Sequence, residues 1–82
     1  MPRRYIPQIK KFGAIVRNQR EKAQLTQATL AELCDVDIRT IRRIEKGEFA
    51  IGLEIIISLA EVFKMQPAEL LDKVKLKHQV RK

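Results

Sequence analysis

The chain has 82 residues, enough for one small domain, and sets 17 Lys and Arg against 10 Asp and Glu, a formal net charge of +7 that favours a polyanionic partner. Its one cysteine, Cys34, excludes an intrachain disulfide and fits a reducing, cytoplasmic location. No run approaches the ~20 apolar residues of a membrane span, and no apolar leader follows the basic start Met1-Pro2-Arg3-Arg4, so neither a membrane nor an export signal is expected.

The charge is uneven. Residues 1–22 hold seven cations against Glu21, and residues 73–82 hold five cations and no acid, while residues 23–72 hold five cations and nine acids. This divides the chain into a basic N-terminal arm (residues 1–6), a globular unit (7–72) and a basic C-terminal tail (73–82). Low glycine content, no tryptophan and apolar residues at helical spacing predict an all-α fold. In the arm, Arg3 and Arg4 are either a solubilising tail or a reach towards a minor groove or a phosphate. The first helix is expected from Pro7 to Lys22, with Pro7 suited to its first turn. Ile9, Phe12, Val16 and Ala23 form its apolar stripe. Gly13 lies on the same side, where it costs about 1 kcal/mol relative to Ala and allows a close helix–helix approach. Arg20 sits inside that stripe.

The stretch 25–47, LTQATLAELCDVDIRTIRRIEKG, reads as two short helices joined by a tight turn. Thr26 suits the N-cap of the first, with its hydroxyl accepting from Ala28 or Thr29. Leu30, Leu33 and Cys34 give its apolar side, and Ala31 is small enough for a close crossing. Asp35 can take the left-handed conformation the turn needs, Val36 anchors the turn in the core, and Asp37 is an N-cap for the next helix. Gly47 ends that helix. At roughly 100° per residue, Arg39, Arg42, Arg43 and Lys46 share one arc about 100° wide, and Ile41 and Ile44 point the opposite way. One side wants a core and the other an anion. Glu45 falls beside Ile41 on the inward side, where an ionised carboxylate needs a cation. Arg20 is the candidate, and a buried Arg20–Glu45 ion pair is expected.

A short loop, 48–52, follows, with Phe49 either exposed or under it. The fourth helix, roughly Leu53 to Phe63, confines Glu54, Ser58 and Glu61 to one strip and is apolar over an arc of about 220°. That exceeds what one small core uses, and Ile55, Ile57 and Val62 are the expected surplus. Met65 fills the core. A fifth helix starts near Pro67, with Glu69 near its positive end, and buries Leu70 and Leu71. In the tail, Val74, Leu76, His78 and Val80 alternate with Lys73, Lys75, Lys77 and Gln79, a strand-like period, unless the fifth helix runs on. His78 is the only histidine, so a metal site within one chain is not expected; no cofactor is expected either.

These residues resemble the phage-repressor/Cro-like, Xre-type helix-turn-helix family. The resemblance rests on Arg20, Leu25-Thr26-Gln27, Leu30-Ala31, Val36, Ile41, Ile44 and Glu45-Lys46-Gly47, then on Leu59-Ala60 and Pro67-Ala68-Glu69-Leu70-Leu71. It covers roughly Phe12 to Leu71. Gln24 and Asp35 stand where the family usually has Gly, and Ile51 where it often has Pro. The resemblance implies a compact five-helix repressor-like DNA-binding domain, with helices 2 and 3 as the helix-turn-helix and helix 3 entering the major groove of double-stranded DNA. It implies base-edge contacts from Ile38, Arg39, Thr40 and Arg43. Arg39 and Arg43 suit the O6 and N7 of guanine, and Ile38 suits a thymine methyl. Arg42 and Lys46 would serve phosphates. Gln27 matches the family's phosphate-contacting Gln, at a helix start that favours an anion.

The expected function is therefore a sequence-specific transcriptional regulator, a homodimeric repressor that blocks an operator. The alternative is an antitoxin or another partner-binding module that also binds its own promoter. Catalysis is not expected, because Cys34 reads as buried, His78 lies in the tail, and no nucleophile–base pair or metal-ligand spacing is present.

Overall fold

The computed structural model describes residues 6–48 and 51–74. Five helices follow one another: α1 (Ile6–Lys22), α2 (Gln27–Cys34), α3 (Ile38–Lys46), α4 (Leu53–Val62) and α5 (Pro67–Asp72). No strand occurs among the described residues. Each helix sends apolar side chains to one core. Phe12 and Val16 come from α1, Leu30, Ala31 and Cys34 from α2, Ile41 and Ile44 from α3, Leu59 and Ala60 from α4, and Leu70 from α5. Ile51, Met65 and Val74 pack around it.

Helices α1 to α4 end on the same backbone closure. Residues 24, 35, 47 and 64 take positive φ, at 60°, 58°, 70° and 58°. The next amide then turns back to the carbonyl five residues earlier: Leu25 to Arg20 (3.1 Å), Val36 to Ala31 (2.9 Å), Glu48 to Arg43 (2.9 Å) and Met65 to Ala60 (2.9 Å). This satisfies carbonyls that a helix end would otherwise leave unpaired. Three of the four also place an apolar residue just after the turn, Leu25, Val36 and Met65, against the core. Only Gly47 is the residue type that adopts this conformation without steric cost. Gln24, Asp35 and Lys64 are not, and Lys64 carries no sequence signal for it.

The helix starts follow their caps. The Thr26 hydroxyl accepts from the Thr29 amide at 3.0 Å and the Asp37 carboxylate from the Arg39 amide at 2.9 Å. At α5, the Gln66 amide donates to the Glu69 side chain at 2.8 Å, a reciprocal cap at a Pro67 start. Gly13 sets how α1 meets α3. A Cβ there would collide with the Ile44 carbonyl and lie 2.9 Å from that of Glu45, so the two helices meet backbone to backbone.

Several apolar positions differ from the sequence expectation. Ala23 lies beyond the end of α1 and is exposed. Leu33 (56% exposed) and Leu71 (43%) face solvent, because Leu30 with Cys34 and Leu70 alone occupy the inward sides of their short helices. On α4, Ile55 and Val62 pack partly against the core, so the surplus is Leu53 (66% exposed) and Ile57 (47%). Phe49, the Arg3-Arg4 arm and the alternating tail from Lys75 onward lie outside the described residues.

Candidate nucleic-acid interface

The site begins with the turn between α2 and α3. Asp35 at φ 58° reverses the chain within three residues, and Asp37 starts α3 at once. The second helix therefore crosses the first with Ile41 and Ile44 pinned in the core at 0% and 1% exposure. Once these two are fixed, the 3.6-residue repeat sends Arg39, Arg42, Arg43 and Lys46 to the surface. All four are exposed.

Glu45 holds this helix in place. Its side chain is 4% exposed, and the Arg20 side chain 12%. Arg20 Nε donates to Glu45 Oε2 at 2.7 Å and Nη2 to Oε1 at 3.2 Å, the two-pronged geometry that a planar guanidinium favours. Arg20 Nη1 also donates to the Leu25 carbonyl at 2.9 Å, in the link before α2. The carboxylate, by hydrogen bonding and charge, holds the Arg20 proton above the usual arginine range, against the opposing effect of burial.

A third partner was not visible in the sequence. Gln27 Nε2 donates to Glu45 Oε1 at 3.1 Å. One carboxylate on α3 thus ties α1 through Arg20 and the first turn of α2 through Gln27. The two residues lie 18 positions apart and an amide has no charge to signal its partner, so only the folded crossing reveals the contact. Gln27 is half-buried, and its amide nitrogen keeps one hydrogen beyond the Glu45 bond.

The remaining candidates differ in presentation. Ile38 is half-buried and packs against the core, which leaves only part of its side chain to face a ligand. Thr40 is half-buried as well. The Arg39 side chain is 81% exposed, and its Nη2 lies 3.6 Å from Asp37 Oδ2. The Arg39 amide and guanidinium hold the Asp37 carboxyl below the usual carboxylate range, with Arg42 adding to the effect. Cys34, 6% exposed, has its thiol pushed up by burial and is held as a neutral core group. No described helix is long and apolar enough to cross a membrane.

Comparisons with known proteins agree with this geometry. The helix-turn-helix family model matches residues 16–70. The crystal structure of the restriction-modification controller protein C.AhdI from Aeromonas hydrophila is 34% identical, with a TM-score of 0.72 over 76% of this chain and 94% of that chain. The clp gene regulator ClgR from Corynebacterium glutamicum superposes with a TM-score of 0.76 over 82% of this chain and 71% of that chain; at 22% identity it speaks for the fold alone. No curated protein matches the chain. The matched segment takes in the capped turn, the cationic face of α3 and the Arg20–Glu45 pair, and on that footing the chain belongs to the Xre-type helix-turn-helix family of DNA-binding transcriptional regulators.

Proposed function

We propose that this regulator is a cytoplasmic, homodimeric repressor that lays α3 in the major groove of its operator. The observation that carries the reading is the split of α3, with two buried isoleucines on one side and four exposed cations on the other. Arg39 and Arg43 contact guanine, Thr40 and the exposed part of Ile38 contact base edges beside them, and Arg42 and Lys46 contact phosphates. Gln27 reaches a phosphate through its second amide hydrogen and the start of α2. The domain from 7 to 72 makes these contacts, and the flanking basic segments, 1–6 and 73–82, add sequence-independent attraction to the backbone.

The homodimer reading is supported by Leu53 and Ile57, one turn apart on α4, and Leu71 on α5, all exposed on the packed α4–α5 pair. The same surplus would serve a different protein partner, the reading of an antitoxin or related module. The two-fold arrangement is preferred because one helix-turn-helix reads too few base pairs to mark a unique site.

A transcription assay tests the repressor role. With a selected binding site placed across a promoter, added protein should lower transcript yield. The Arg43→Ala variant should need roughly 5- to 150-fold more protein, the equivalent of ~1–3 kcal/mol for one guanine contact. Unchanged or raised transcript would contradict repression, and equal potency of Arg43→Ala would remove Arg43 from base reading.

A further inference from the structure

Asp37 does more than a cap requires. Its Oδ1 accepts the Arg39 amide at 2.9 Å, which fixes the carboxylate at the start of α3. That leaves Oδ2 on the side where the Arg39 guanidinium lies, 3.6 Å away. Backbone and side chain of one residue thus meet the two oxygens of one carboxylate. Capping alone needs a single acceptor, and Ser, Thr or Asn supplies it about as well. The second oxygen is therefore surplus to the cap. The pair is also too exposed, at 81% for Arg39 and 56% for Asp37, for its attraction to contribute much stability.

We propose that Asp37 is a positioning residue for sequence reading: its carboxylate aims the Arg39 guanidinium at a base edge and opposes binding to phosphate alone. The inference rests on the DNA-reading role given above. An arginine side chain loses about 2 kcal/mol worth of rotamer freedom when it is held in one geometry. A carboxylate two residues away restricts that freedom before DNA arrives. The start of the reading helix is also the part that contacts base edges. There a fixed negative charge is repelled by the phosphates on either side, and the repulsion is offset only where Arg39 finds a guanine. Arg42, the other cation close enough to stabilise this carboxylate, sits one turn further along α3. The arrangement lowers affinity for arbitrary duplex and widens the margin for the correct one.

The test uses the full chain with duplexes carrying the selected site, the same site with the guanine facing Arg39 replaced, and random sequence. Asp37→Asn keeps an acceptor for the cap and removes the charge. It should melt close to the parent, bind random duplex more tightly, and discriminate that guanine less well, by up to about fivefold, the most an exposed ion pair supplies. In the Arg39→Ala background, Asp37→Asn should leave the remaining discrimination unchanged. Asp37→Ser repeats the measurement with a different cap, in case the Asn variant folds poorly. Unaltered discrimination in a folded Asp37→Asn or Asp37→Ser chain overturns the inference. So does an equal loss with Arg39 already removed, since Asp37 would then act without it. A parent chain that prefers no sequence at all is a different failure: it removes the DNA-reading role first, and the inference with it.

Discussion

Glu45 is the residue on which three helices meet, and its removal should be costly for that reason. Glu45→Ala leaves the Arg20 guanidinium in a 12%-exposed position with two of its three bonds lost and takes the acceptor from Gln27. A loss of about 3–5 kcal/mol in denaturant unfolding is expected, typical of breaking a buried pair from one side. A loss below ~1 kcal/mol would mean that Arg20 escapes to solvent by a small rotation of its long stem. The pair was legible in the sequence, because a lone charge inside each of two apolar stripes has few other solutions. Gln27 was not, since an amide can serve a phosphate or a carboxylate equally well and carries no periodicity that decides between them.

At the scale of elements, two substitutions should move stability in opposite directions. Gly13→Ala pushes a methyl group into the carbonyls of Ile44 and Glu45, which are backbone and cannot rotate away. It should cost ~1–3 kcal/mol despite the better helix propensity of Ala. Lys64→Gly should instead stabilise by up to ~1 kcal/mol, because φ at this position is 58° and the left-handed strain borne by Lys disappears. Thermal melts of the two variants on either side of the parent check both signs. A Lys64→Gly chain less stable than the parent would show that the added freedom of the unfolded chain outweighs the strain. The contrast explains which boundaries could be read. Helix starts announce themselves through Thr26, Asp37 and Pro67, whose side chains or ring do the work. Helix ends are closed by backbone bonds at Gln24, Asp35, Gly47 and Lys64; Gly47 and, less strongly, Asp35 show this in their identity, and Gln24 and Lys64 do not.

For the whole molecule, periodicity indicated that α4 carries more apolar surface than one core needs. It could not say which residues, because a ten-residue helix turns its surplus away only after neighbours have chosen their side. The core took Leu59 and Ala60 and left Leu53 and Ile57 outside, with Leu71 of α5 exposed as well. If a two-fold contact covers this face, Ile57→Lys should give a monomer in sedimentation at concentrations where the parent is dimeric, with melting of the monomer fold little changed. A variant that stays dimeric would move the interface elsewhere, with the exposed Leu33 as the next apolar position to test.

The proposed function requires that α3 reads sequence and that two copies read it together. Selection of bound sites from random duplex DNA, using the full chain, tests both halves at once. The expected outcome is an enriched palindrome with half-sites one helical turn apart, ~34 Å between the two copies of α3, and guanine in each half-site. An enriched site without two-fold symmetry would contradict the dimer, and no enrichment above random sequence would contradict base reading by α3 itself.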